Sequence, residues 1–418
     1  GGHGGEVLWV TRLDDDVKKA PPGSLRWALR QKGPRVVKFS VGGVLTLKDR
    51  IEVKESRLTL DGTDAPGEGI TIRGGSLEFS GVEDIILRNL RVRLGDETVL
   101  RKNRAEKRKR PKSSNGLDCI TLKDCNRVLV DHCSLSWSCD ELIGITHCQN
   151  VTVQWCILGE PLGRPELHPY GDDHAFGINA SASSLSIHHC LFARFVMRGP
   201  QFECNDMRPK DRYTVQMEAV NNVIFDYQRS GSRYSTGVEK GSGTGEGKKF
   251  EFQFLNNLYV TAGAKRAPIE AFTRHGFAPG MKAAVVGNEM VTGSRQKVIA
   301  GVKLPAFSIK GPHLNWPMVR PKDEDAPTLA EELAPSVEPS IPDSGRAIPI
   351  PEKAVTRRLF AAPVPVRPEP VAISWRNVLN ASGAGPVRDE VDARIMRDVE
   401  EMTFRDTLRS QKEVGGWP

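Results

Sequence analysis

The chain has 418 residues, enough for one large domain or two ordinary ones, and its 40 glycines against 6% aromatics favour a turn-rich β protein over a helical one. No run of about 18 apolar residues occurs, which excludes a membrane-spanning helix. The formal net charge of +7 is modest, and the eight cysteines, all between Cys119 and Cys204, never fall at the C-x-x-C spacing of a zinc site.

In chain order, the first repeated element is "DIILRNLRV" (84–92). Its pattern is an alternating strand, one marker residue and two mostly apolar residues. The same frame returns in "VLVDHCSLSW" (128–137), "VTVQWCIL" (151–158), "LSIHHCLF" (185–192), "MEAVNNVIF" (217–225) and "FQFLNNLYV" (252–260). The marker residues are Asn89, Cys133, Cys156, Cys190, Asn222 and Asn257, separated, by subtraction, by 44, 23, 34, 32 and 35 residues. Period-two alternation indicates strands. Uneven spacing around a constant strand, with no amphipathic helix between, points to an all-β parallel β-helix whose coils match in strand length and differ in loops. Asn and Cys at one frame position then stack as an internal ladder, the amides bonding along it and the thiols packing as small hydrophobes. Cys125 and Cys148 form a second such position, expected as free thiols. Cys133 is therefore a core rung. A zinc site built from His132, His147, His188 and His189 with cysteines fails because those thiols lie in a packed interior.

Between the first two frames lies "RKNRAEKRKRPK" (101–112), eight basic residues against one acid. It reads either as a solvated loop or as a contact for a polyanion, nucleic acid or acidic polysaccharide. The strand before each marker carries a second register. Asp118 lies fifteen residues before Cys133, Asp140 sixteen before Cys156 with Glu141 beside it, and His174 and Asp173 sixteen and seventeen before Cys190. Acids on coils about 4.8 Å apart repel unless a cation lies between them. A hard ion with oxygen ligands, calcium for preference, fits such a column. A regular strand would turn Glu141 to the opposite face from Asp140. Arg198, eight residues after Cys190 in "VMRGPQF", is placed to hold an anionic substrate against that cation.

Beyond the repeats, 14 of the chain's 28 prolines fall between Gly301 and about Pro370, which reads as an extended strap or linker. "VRDEVDARIMRDVEEM" (387–402) spaces Val391, Ile395, Met396 and Val399 as one face of a docked helix.

These motifs resemble the pectate lyases, a polysaccharide lyase family built on a right-handed parallel β-helix. "VLVDHCSLSWSCDE" is similar to the family's Val-x-Ile-Asp-His-Cys-Ser strand followed by an acid. "GLDCITL" resembles its first calcium-aspartate strand, and "MRGP" its Arg-x-Pro segment. "GGHGGEVLWVTRLDDD" and "LTLDGTDAPGEGITIRGG" resemble its amino-terminal coils, where a helix caps the barrel. The resemblance covers residues 1 to about 265 and the last 35 or so. The expected organisation is a β-helix over residues 1–300, a Pro-rich strap or linker over 301–372, and a carboxy-terminal segment, 373–418, whose short helix packs back on the β-helix. The resemblance further implies calcium held by Asp118 and Asp140, with Glu141 as the candidate substitute for a further acid, Arg198 as the base, and β-elimination in a uronic-acid polymer. Tyr170, Asp173 and His174 are the substrate-binding candidates, standing where the family often has a lysine, and Gly144 stands where it usually has a further calcium aspartate. The corresponding expectation is a secreted or extracytoplasmic, monomeric lyase with an acidic polysaccharide partner and no nucleic acid. The alternative is a non-catalytic β-helix that binds acidic polysaccharide; a hydrolase would need paired carboxylates without an essential arginine.

Overall fold

The computed structural model describes residues 1–203, 214–235, 249–263, 266–271, 282–292, 297–299, 302–304, 366–385 and 387–417. Cys204 and nearly all of the Pro-rich segment lie outside them. Among the described residues every strand pairing is parallel except Lys297–Ile299 with Val302–Leu304. The strands form three long sheets, and successive passes of the chain through all three make the coils of a parallel β-helix.

Three coils position the site. One runs through Ile120–Lys123 in the first sheet, Asn126–Asp131 in the second and Ser134–Ser136 in the third. In the next, the single long strand Glu141–Gln154 serves the first two sheets in turn and Ile157–Gly159 lies in the third. The following coil uses Phe176–Ala182, Ser184–His188 and Leu191–Phe195. Alternate residues such as Val128, Val130, Val151, Val153, Leu185 and Ile187 point inward and are buried. Full burial of each such side chain stabilises the fold by roughly 1.5–3 kcal/mol.

The turn from second to third sheet is built the same way on six successive coils. A left-handed residue comes first: Asn89, His132, Trp155, His189, Asn221 and Asn256 have φ of 53°, 48°, 52°, 54°, 57° and 50°. Asparagine tolerates that conformation well, and its recurrence here reflects it. The next residue points inward. The register pairs Asp131 with Arg88 and Ser134 with Arg91, which puts His132 opposite Asn89 and Cys133 opposite Leu90. Asn89 thus belongs to the outer, left-handed column, one residue away from the expected frame. Leu90, Cys133, Cys156, Cys190, Asn222, Asn257 and Asn288 form the inner ladder, each at most 2% exposed.

Within that ladder the Asn222 amide donates to Asn257 Oδ1 at 2.9 Å and the Asn257 amide to Asn288 Oδ1 at 2.9 Å. The same amides also reach Ile187 O and Ala219 O of the neighbouring coil at 2.9 and 2.8 Å. The Cys156 and Cys190 thiols point at the equivalent carbonyls, Val130 O and Val153 O, at 3.7 and 3.6 Å. Cysteine therefore replaces asparagine as a weaker donor in one geometry. The seven cysteines among the described residues are buried and free, Cys125 and Cys148 included. Burial pushes the Cys133 and Cys156 thiols far above their usual range, so neither is a nucleophile.

A short helix, α1 (Leu25–Leu29), is capped by Ser24 and buries Leu25, Ala28 and Leu29 in the core. The connections from third to first sheet vary most: residues 94–119, 137–140 and 160–175 on successive coils. The first contains α2 (Glu97–Ala105), which carries the start of the basic run. Near the carboxy terminus are α3 (Val371–Ala381) and α4 (Glu390–Glu400). α4 buries Val391, Ile395, Met396 and Val399, with Ile395 against Gly159 of the third sheet. Arg93 of that sheet donates to Asp389 Oδ1 at 2.9 Å and Asp392 Oδ1 at 2.8 Å, all three nearly inaccessible to solvent.

Candidate functional site

The site lies where the variable connections enter the first sheet. Counting back from the pair Ile120–Ile143 puts Asp118 opposite Glu141, and Glu141 pairs in turn with Phe176. The sequence expectation had aligned Asp118 with Asp140 and turned Glu141 away. Asp140 instead sits at the corner before the strand begins, where strand alternation does not apply. Its carboxylate meets those of Asp118 and Glu141, the three offering oxygens that all lie within 4.8 Å of one another. All three residues are buried, at 9%, 6% and 8% exposure.

Asp118 is fixed by two donors, the Glu141 backbone N–H at 3.1 Å to Oδ1 and the Thr121 hydroxyl at 2.8 Å to Oδ2. Gly144 lies directly beneath: a Cβ there would come within 2.4 Å of Asp118 Oδ2. The space a further aspartate would need at residue 144 is filled by the carboxylate of Asp118. Glu141, one coil on, stands as the third acid.

Arg198 closes the site from the third coil. It is a non-glycine residue at φ 73°, just before the strand Gln201–Glu203. Its guanidinium forms a close ion pair with Glu141 and lies over the Phe176 ring, 4.3 Å from the centroid. Phe176 thus occupies the third-coil position of the acid column and serves as the floor beneath the arginine.

Burial, then the Glu141 and Asp140 charges nearby, set the proton affinities. Asp118 is pushed well above the usual carboxylate range by burial and by Glu141. Asp140 is pushed up by burial, then by Glu141 and Asp118. Burial works against ionised Glu141 too, but Arg198, Asp140 and His174 outweigh it and hold Glu141 below its usual value. The cluster therefore keeps one negative charge against Arg198 and resists a second and third. A divalent cation placed between the carboxylates removes that resistance, and the donor set of hard oxygens suits calcium.

The connection 160–175 brings two more groups. His168 Nε2 lies 3.1 Å from Asp140 Oδ2. The His168 and His174 rings stack with centroids 3.5 Å apart and planes 12° from parallel. Burial lowers the pKa of His168 to about 4, and burial lowers His174 as well, leaving both imidazoles neutral at neutral pH. Tyr170, 77% exposed, sets its ring edge-on to His168 at 4.8 Å. Asp173 is exposed and lies outside the cluster, whereas its neighbour Asp172 places Oδ1 2.7 Å from His174 Nδ1. The structure therefore gathers Asp118, Asp140, Glu141, His174 and Arg198, leaves Tyr170 at the rim and Asp173 in solvent. His168, Asp172 and Phe176 were not singled out from sequence. Two histidines flanking a Tyr-Gly turn in "HPYGDDH" were the available signal for the first.

The basic connection 94–119 forms the adjoining wall. Asn103 donates to Glu166 O at 3.1 Å, and the Arg110 guanidinium packs on Gly171. At the opposite edge, Trp417 packs edge-on against buried Trp137 at 4.9 Å, and the Gly163 N–H donates to Leu408 O at 2.7 Å. The end of the chain thereby braces the corner that carries Asp140.

No family model matches the chain. It is 30% identical over 302 residues to a protein named probable pectate lyase C from Emericella nidulans, covering 69% of this chain and 59% of that one. To the protein of the same name from Aspergillus flavus it is 31% identical over 275 residues, 66% of this chain and 54% of that one. The chain thus spans little more than half the length of the fungal relatives it matches. Among solved structures, a thermostable pectate lyase superposes with a TM-score of 0.53 at 12% identity, over 91% of this chain and 92% of that one, an agreement of fold. The right-handed parallel β-helix, the strand motifs and these relatives agree: the chain belongs to the pectate lyase family.

Proposed function

We propose that the chain is a polysaccharide lyase, a carbon–oxygen lyase that cleaves a pectate-like uronic-acid polymer by β-elimination. The observation that carries this reading is the Arg198 guanidinium held against the buried acids Asp118, Asp140 and Glu141. Calcium held by those three carboxylates would neutralise the uronate carboxylate and so acidify the proton on C5. For this step Arg198 must first give a proton to solvent; as a neutral guanidine it accepts the C5 proton, the electron pair forms the C4–C5 double bond, the C4–O bond breaks, and the departing oxygen takes a proton from water, whose hydroxide returns Arg198 to the neutral form. For this, Arg198 must leave Glu141 and face the sugar. Phe176 keeps the guanidinium plane in place while it does so, and Tyr170 and His174 line the approach. The substrate is an acidic polysaccharide, consistent with the exposed cations of the neighbouring wall. A site of action outside the cell is compatible with free thiols, because every cysteine among the described residues is buried from oxidants.

The test is ultraviolet absorbance of the conjugated double bond on polygalacturonate and related polymers, with calcium and with chelator. Arg198→Ala is expected to lower kcat by about a hundredfold or more, the usual share of a general base, in a variant whose far-ultraviolet spectrum shows it folded. Turnover that survives both chelator and Arg198→Ala would overturn the mechanism. Polymer binding without any new absorbance would favour the non-catalytic binder.

A further inference from the structure

The basic run 101–112 is fastened along the margin of the β-helix, and the chemistry described above uses none of it. A loose stretch of like charges repels itself and stays in solvent. Here α2 instead buries Val99 and Asn103 on the scaffold. Its contacts reach both ways along the helix axis. Arg101 donates to Lys48 O at 3.3 Å and Lys102 pairs with Asp49 at 2.6 Å, just before the strand Ile51–Val53. Thr98 lies against Gly74, just before Leu77–Ser80. Asn103 and Arg110 meet Glu166 O and Gly171 in the connection that leads to Phe176–Ala182. With Ile120–Lys123 and Glu141–Gln154 between them, these strands are five neighbours in the first sheet. Four spacings of about 4.8 Å make the wall roughly 19 Å long, parallel to the axis. The acid cluster lies beside it, at the entrances to the third and fourth of those strands.

The charge of this wall is largely unanswered. Lys102 is paired with Asp49 and Arg108 with Glu106. The exposed side chains of Arg104, Lys107, Lys109 and Lys112 form no ion pair among the described residues. Four such cations within nine residues repel one another, and an anion with charges repeated along its length relieves that repulsion. Between the wall and the first sheet a cleft of about 170 Å³ opens, lined in part by Lys102, Lys112 and Arg50. A uronic-acid polymer carries a carboxylate on each sugar. Lying lengthwise past the acid cluster, it would meet a cation at successive sugars. Nucleic acid also repeats its charge, but residues 94–119 hold no aromatic side chain on which a base could stack.

We propose that residues 101–112 anchor a polyuronate lengthwise beyond the reacting sugar, so that affinity rises with chain length. The class of partner rests on the reading of the site as one for a uronic-acid polymer. The anchoring itself needs neither calcium nor turnover.

The experiment measures binding of long polygalacturonate and of trigalacturonate to the full chain carrying Arg198→Ala, in chelator, over a range of salt concentrations. The comparison chain adds Arg104→Gln, Lys107→Gln, Lys109→Gln and Lys112→Gln, and circular dichroism checks that it is folded. Its preference for the long polymer over the trimer is expected to fall at least about tenfold, and its slope of log affinity against log salt by about two. Fully methyl-esterified polymer, which lacks the charges, is expected to bind both chains alike. An unchanged preference and salt slope in the folded fourfold variant would overturn the proposal. So would duplex DNA that binds more tightly than polygalacturonate at equal ionic strength and is released by the same substitutions. Turnover assays on chains with Arg198 intact keep the two readings apart. Wall-dependent binding without turnover sinks the lyase and sustains the anchor; turnover with wall-independent binding does the reverse.

Discussion

At Gly144 the absence of a side chain decides where Asp118 lies. The Asp118 carboxylate rests where a Cβ would stand, held there by Thr121 and the Glu141 N–H. Gly144→Ala is therefore expected to push Asp118 out of the acid cluster and to weaken calcium binding about tenfold or more, about 1.4 kcal/mol, while the far-ultraviolet spectrum is retained. Unchanged affinity in a titration would show that Asp118 is not a ligand. The sequence identified Asp118, Asp140 and Arg198 as belonging together because the repeat supplied a ruler. It counted Glu141 among the calcium ligands yet turned it to the wrong face, because a residue at the junction of corner and strand does not follow the alternation of either. Phe176 was illegible for another reason: an apolar residue in a strand gives no sign that a guanidinium will lie on it.

At the scale of the element, the inner ladder combines two chemistries with different consequences. Asn257 gives its amide to Ala219 O and Asn288 Oδ1, and its Oδ1 accepts from both the backbone N–H and the amide of Asn222. Asn257→Ala leaves buried partners unsatisfied on two coils, at a cost of about 3 kcal/mol or more. Cys156→Ala removes a weak donor and one atom's worth of packing, about 1–2 kcal/mol. Denaturant unfolding followed by tryptophan fluorescence should show the asparagine variant as clearly the weaker of the two; equal losses would mean that the ladder acts by packing alone. The cysteines and paired asparagines made this ladder readable from sequence. Leu90 and Asn288, its end rungs, escaped because leucine marks nothing and the final coil lacks the second asparagine, having Gly287 in the left-handed column instead.

At the scale of the molecule, a helix nearly three hundred residues beyond Arg93 closes over the third sheet. Asp392 bonds both Arg93 and Ser134, the latter at 2.6 Å, where no water reaches. Removing one partner of a buried ion pair strands the other, so Asp392→Ala is expected to cost about 3–5 kcal/mol. Faster amide exchange should appear in α4 and in Arg91–Arg93 together; exchange confined to α4 would show that the tail is only an attachment. The amphipathic spacing of that helix was visible in sequence, but its partner was not, since nothing local links Arg93 to Asp392. The corner where the coils pass from third to first sheet has a further consequence. Connections of very different length leave and return there while Ile120–Lys123 keeps an unbroken register with both of its neighbours, so the reacting groups sit on a frame that tolerates insertions at this margin. The protein is in that respect a loom with a fixed warp and a free edge: the width and charge of its cleft can be rewritten by indels, while the spacing of the acids and the arginine is set by the distance between strands.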